Sequence, residues 1–212
     1  MAIAIKTRKQ DELRQCKEKM NEYYHKNLLY ALLVKRYADY IEEREAKTIQ
    51  DLKEMIQPYS APVAELAEKI KESIQDYSPE KDILKACEKA YAFITENIHS
   101  VPSLGVSFWM GVKETLENGV ADYEDKAILL CSLFKALGAD SSIGIAELSD
   151  GSNRPVVFIK TRYSEVMLDP NEKHNFLEFA GKRADALRKY SLNGKTITKI
   201  LYEFDDKEYK EY

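Results

Sequence analysis

The stretch from Glu117 to Gly138 constrains this chain of 212 residues more than any other. It reads as a turn that feeds a buried helix. Gly119 punctuates the chain, Asp122 offers an N-cap oxygen, and Glu124 and Asp125 put negative charge in the first turn, where free N–H groups favour it. Ala127, Leu130, Phe134 and Leu137 line one face at three- and four-residue spacing. Ile128, Leu129, Cys131 and Leu133 widen that face until little of the circumference is polar. Such a helix belongs inside a domain. Gly138 ends it with the residue suited to a left-handed C′ position.

The run resembles the core motif of transglutaminase-like domains, relatives of the papain-like cysteine proteases. In that family a Gly-Asp-Cys triplet opens a central helix of acidic, acidic, basic, Ala, Ile, Leu, Leu pattern. The resemblance extends upstream to Trp109, Glu114-Thr115-Leu116 and the Glu96-Asn97-Ile98 helix end, with Val112 where a proline is usual. It implies an α+β fold, a transglutaminase-like or papain-like core in which the central helix packs on an antiparallel sheet. It also implies a cysteine nucleophile at the helix start, where the dipole and a nearby imidazolium favour the thiolate. Here the triplet is Ala121-Asp122-Tyr123, and Tyr123 stands in the nucleophile's place. The family's histidine falls at Arg154 or Pro155. Its aspartate is retained as Asp169-Pro170. Without Cys and His the family's acyl transfer lacks both nucleophile and proton shuttle.

Composition narrows the remaining classes. With 44% hydrophobic and 32% charged residues the chain is expected to be globular, and a net charge of −4 offers no field for nucleic acid. The longest apolar stretch, Leu28 to Val34, is too short to span a bilayer, so no membrane partner and a cytoplasmic location are expected. Cys16, Cys87 and Cys131 lie far apart in helical patterns, and His25, His99 and His174 form no cluster. Neither a disulfide framework, a metal site nor a cofactor is expected.

Residues 1–60 read as an N-terminal helical extension and 61–212 as the transglutaminase-like domain. The extension lacks Gly and Pro from Gln10 to Ile56 and predicts a long helix to about Glu45, resumed at Thr48. Leu13, Met20, Asn27, Val34 and Ile41 fall at a positions, and Cys16, Tyr23, Tyr30 and Tyr37 at d positions. That seam suits a homodimer, but Leu28, Leu29, Leu32 and Leu33 outside it suit packing on the chain's own domain. Pro58 to Pro62 breaks the chain before helices at Val63–Gln75 and Glu80–Asn97, and a loop with Pro102 and Gly105 follows. Beyond Gly138 the period changes to alternation, predicting strands at Ser142–Leu148, Pro155–Lys160, Tyr163–Leu168 and Thr196–Phe204. Phe176–Tyr190 reads as mostly helical, and Asp205–Tyr212 as a frayed tail.

The expected function is a catalytically inactive scaffold that binds a protein or peptide. Trp109, Tyr123, Tyr23, Tyr30 and Tyr37 are the contact candidates, because aromatic side chains anchor interfaces. Tyr123, Arg154 and Asp169 form the degenerate site, with an Arg154–Asp169 ion pair across it and Tyr123 filling it and bonding through its hydroxyl. The alternatives are a cysteine-independent peptidase or transamidase using Tyr123 and Asp169, with His174 as a relocated base, or a small-molecule sensor in the emptied cleft.

Overall fold

A computed structural model describes residues 2–101, 108–162 and 164–212, with the side chains of 2–16, 18 and 22 outside that set. The expected loop at Pro102 and Gly105, the strand start at Tyr163 and the seam side chains Leu13 and Cys16 therefore lie outside the described residues. The chain opens with α1 (Ala2–Arg36) and α2 (Ala38–Glu45). At Tyr37 the backbone turns to φ −108°, yet its N–H still bonds to Leu33 O at 3.1 Å and its carbonyl accepts from Ile41 N at 2.9 Å. After α2 the helix resumes as α3 (Ile49–Met55), where Thr48 and Asp51 form a reciprocal capping box.

Two compact units result. One comprises residues up to Ala46 with Ser103–Phe108, the other Lys47–Pro102 with Trp109–Tyr212. In the first, Tyr23, Tyr30 and Tyr37 are exposed, as are Leu28, Leu29, Leu32 and Leu33. The second unit begins before residue 61, because Leu52, Met55 and Ile56 belong to its core.

In that second unit α4 (Ala61–Glu72) and α5 (Pro79–Asn97) each carry a proline in the first turn, where its missing N–H costs nothing. Then come β1 (His99–Ser100), α6 (Val112–Asn118), β2 (Val120–Ala121) and α7 (Tyr123–Leu137). Helix α7 is the predicted central helix, and eleven of its residues are buried. The sheet strands are β3 (Asp140–Leu148), β4 (Asn153–Lys160), β5 (Glu165–Leu168) and β6 (Ala180–Gly181). Helix α8 (Arg183–Lys189) then leads to β7 (Ser191–Leu192), β8 (Lys195–Phe204) and β9 (Tyr209–Glu211). They pair antiparallel in the order β6-β5-β4-β3-β8-β7, with β9 on β8. The fold is α+β, helices first and antiparallel sheet second, as the periodicities predicted.

Strand alternation assigns the two sheet faces. Val157 and Ile159 of β4 join Ile143, Ile145 and the α4, α5 and α7 side chains in the larger core. Val156 and Phe158 face the other way, against Met167, Phe179, Ala186 and Tyr190. The predicted helix Phe176–Tyr190 is corrected to α8 alone: Phe176 joins the first core and Phe179 the second. Residues three apart on a helix would share a face, so the segment turns instead. The tail is corrected too. Tyr209 stacks on Tyr202 with ring centroids 5.7 Å apart, and Asp205 Oδ1 accepts from both Lys207 N and Glu208 N at 2.7 Å, which folds β9 back onto β8.

Candidate functional site

The start of α7 is fixed from both sides. Gly119 takes φ +66°, a left-handed conformation natural to glycine, and closes α6. Val120 and Ala121 then pair parallel with His99 and Ser100, which ties the turn to the end of α5. Asp122 caps α7 by accepting from Asp125 N at 2.9 Å. The next residue is Tyr123, half-buried at the helix start.

Arg154 comes to it from β4, and Asp169 from just beyond β5. The Arg154 Nε donates to Asp169 Oδ2 at 2.8 Å, and its Nη2 donates to Glu172 Oε1 at 3.0 Å. Its guanidinium also lies over the Tyr123 ring, 4.4 Å from the centroid, in cation–π geometry. Arg154 is 4% exposed and Asp169 is fully buried. The ion pair expected across this position is present. Burial disfavours the Arg154 charge, but attraction and hydrogen bonding from Asp169 outweigh it and raise its pKa. The contact Arg154 makes on Tyr123 is through the ring.

Asp169 accepts from two further donors. Its Oδ2 also accepts from the Tyr190 hydroxyl at 2.7 Å, and its Oδ1 accepts from Asn171 N at 2.9 Å. Tyr190 is completely buried; burial, then the Asp169 charge, hold its phenol above the ordinary range. Tyr91 of α5 donates to the carbonyls of Asp169 and Glu172 at 3.1 and 2.6 Å and accepts from His174 N at 3.2 Å, which anchors the 169–174 loop. Burial pushes that phenol up to about 12. A second chain of bonds runs under Tyr123: Lys126 Nζ to Ser100 Oγ at 3.1 Å, Ser100 Oγ to Asn171 Oδ1 at 3.0 Å, and Asn171 Nδ2 to the Tyr123 carbonyl at 3.4 Å. Lys126 is 3% exposed, and burial lowers its pKa.

The acidic side chains of the first turn are strained electrostatically. Asp125 is 1% exposed; its Oδ1 accepts from Met110 N at 3.1 Å while its Oδ2 has no hydrogen-bond partner among the described residues. Burial first, and Asp122 second, push its carboxyl up to about 8. Burial also raises Asp122 and Glu124.

The remaining sequence candidates are dispersed. Trp109 packs on the larger core and lines a small cavity of about 10 Å³ with Leu52, Glu124, Pro155 and Tyr202, room for about one water. His174 stacks edge-on against Phe179 and Tyr190, and its Nδ1 lies 3.5 Å from Glu178; Tyr190, not His174, gives Asp169 its hydroxyl bond. Tyr23, Tyr30 and Tyr37 belong to the N-terminal unit. Cys87 and Cys131 are fully buried, and burial pushes each thiol up to about 12, so neither is a displaced nucleophile. Among the described residues no group of three or more His, Cys, Asp or Glu side chains could hold a metal, and no helix is long and apolar enough to cross a membrane.

Tyr190, Tyr91, Glu172, Asn171, Ser100 and Lys126 were not singled out from the sequence. Only Lys126 sits in the motif; Tyr91 comes from α5, and the others from turns and strand ends with no local pattern to mark them.

No protein-family model matches the chain, and no curated protein does. Among solved structures it is similar to LapG of Legionella pneumophila in an EGTA-treated form, at 18% identity and a TM-score of 0.48, covering 78% of this chain and 86% of that one. The calcium-bound form of LapG gives 18% identity and a TM-score of 0.46, over 70% of this chain and 87% of the other. A Cytophaga hutchinsonii protein described as a candidate cysteine protease gives 13% identity and a TM-score of 0.39, over 66% and 48%.

Proposed function

We propose that this chain is a non-catalytic member of the transglutaminase-like group, a scaffold that binds a protein or peptide at the face around Tyr123 and Trp109. The single observation that carries this reading is the position of Arg154, held between the Tyr123 ring and the Asp169 carboxylate. In a Cys–His–Asp site the histidine must take a proton from the thiol and return it to the leaving group. A guanidinium cannot act as that base, because it stays protonated throughout the working pH range. The phenol at Tyr123 lacks the acidity of a thiol at the same helix end. Asp169 already accepts from Arg154, Tyr190 and Asn171, so its Oδ2 is committed to partners other than a base. The arrangement stabilises the old site as a rigid, charge-paired floor. Half-buried Tyr123 and Trp109 would then offer aromatic contact area to a partner.

The test has two arms. The purified chain is screened for peptide hydrolysis and amine transfer, and separately panned against a displayed peptide library. The reading expects turnover no higher than that of Asp169→Ala, and enriched peptides whose binding falls at least tenfold in Tyr123→Ala. Turnover abolished by Tyr123→Phe would replace it with the cysteine-independent enzyme.

A further inference from the structure

The sheet carries a second concavity, of about 340 Å³, that shares no residue with the Tyr123 site. Ser142 of β3, Lys160 of β4, Glu165 of β5, Arg183 of α8, Glu203 of β8 and Lys210 of β9 all contribute to its wall. Small-molecule sites span roughly 300–1,000 Å³, so the volume suits a small ligand. Part of the wall is closed on itself. All five N–H donors of Arg183 are spent: Nε and Nη2 on Glu165, Nη1 and Nη2 on Glu203, and Nη1 also on the Tyr212 hydroxyl. Glu203 is 7% exposed and accepts further from Ser142 Oγ at 2.6 Å and from the Tyr212 hydroxyl at 2.8 Å. Asp205 is committed to Lys135 and to the N–H groups of Lys207 and Glu208.

Three charged side chains in the same wall remain largely unspent. Lys160 Nζ lies 3.5 Å from Glu203, beyond the range of a good hydrogen bond, and its side chain is 39% exposed. Lys210 faces Glu203 across the β8–β9 pair, yet its ammonium rests on the Tyr212 ring, 4.4 Å from the centroid. Glu208 has no side-chain partner among the described residues. Two open ammonium groups therefore border one cavity with one open carboxylate. A lone cation would meet the two lysines. A lone anion would meet Glu208 in a wall where four carboxylates outnumber Lys160, Arg183 and Lys210. A charge that leaves water needs a partner of opposite sign, so a ligand carrying both signs satisfies what neither ion alone can. We propose that this cavity binds a free α-amino acid as its zwitterion, the carboxylate taken by Lys160 and Lys210 and the ammonium by Glu208.

Titration calorimetry on the full chain tests it with each of the twenty standard amino acids, and with acetate and methylammonium as probes of one sign. The expected result is at least one amino acid with a Kd below about 1 mM, and both single-sign probes weaker by at least tenfold. Lys160→Met and Glu208→Gln should each weaken that amino acid at least tenfold. Glu208 is exposed and makes no side-chain bond in the wall, so its variant should melt with the parent and report on binding alone. Acetate binding as tightly as the amino acid would make this a plain anion site and overturn the proposal, as would methylammonium doing so. No heat from any of the twenty, or full affinity kept in Glu208→Gln, would overturn it as well.

Discussion

Arg154 lies over the ring of Tyr123 with its guanidinium carbon 4.4 Å from the centroid, while its Nε reaches the buried Asp169 at 2.8 Å. The start of α7, β4 and the turn after β5 are thus joined through one guanidinium.

That link makes the Arg154–Asp169 pair sensitive to single substitutions. Arg154→Met leaves Asp169 buried without its counter-charge and should destabilise the fold by about 3–5 kcal/mol. Arg154→Met with Asp169→Asn should recover much of the loss. Urea unfolding of the two singles and the double closes the cycle, and a coupling energy near zero would mean the pair is only an incidental contact.

Asp125 gives the chain an alkaline weakness. Its folded carboxyl titrates at about 8, far above an unfolded aspartate, so the folded state holds a proton the unfolded state has released. Its contribution is complete below about pH 4 and is lost as pH rises through 8. Asp125→Asn keeps an acceptor for Met110 N and removes the charge. The variant should melt higher than the parent at pH 8.5, by the equivalent of about 1–3 kcal/mol, and the difference should shrink at pH 4.

Glu203 works in the opposite direction. Burial opposes its charge, but Arg183, Ser142 and the Tyr212 hydroxyl all donate to it, and its carboxyl is held down to about 2. A depressed carboxyl stabilises the fold above its unfolded pKa, near 4.3, and that stability disappears as pH falls towards 2. The gain is of the order of 3 kcal/mol for a group this buried. Acid unfolding of Glu203→Gln should show a flatter profile between pH 4.5 and 2 than the parent; parallel profiles would place the acid sensitivity elsewhere.

Gly144 tests the packing on the sheet face that α8 covers. A β-carbon there would meet Phe158 Cε2 at 2.6 Å, and that ring in turn carries the Arg183 guanidinium 4.2 Å above its centroid. Gly144→Ala should cost about 1–3 kcal/mol by overpacking, read as a lower melting temperature. Phe158→Leu in the same chain should restore part of it by freeing the space.

Local signals were enough for the elements that obey one rule at a time. Asp122 and Gly138 mark the ends of α7 because capping depends on residues adjacent in sequence, and Thr48 marks α3 for the same reason. Alternation found β3, β4, β5 and β8, since period two needs only a buried face. That Tyr123, Arg154 and Asp169 come together was expected only from the resemblance. What those residues do there was decided in three dimensions. Tyr190 and Tyr91 reach Asp169 from just beyond α8 and from α5, with no spacing that links them, and their hydrogen bonds exist only because the chain closes on itself. Phe176 and Phe179 look helical at three-residue spacing, yet each enters a different core, and the tail gains a strand because Tyr202 offers Tyr209 a ring to stack on. Sequence determined where most helices and strands begin, because those follow from short-range backbone and side-chain preferences. Tertiary structure alone decided that Arg154 stacks on Tyr123 and pairs with Asp169, because the energy of that contact depends on burial and distance between residues the chain holds far apart.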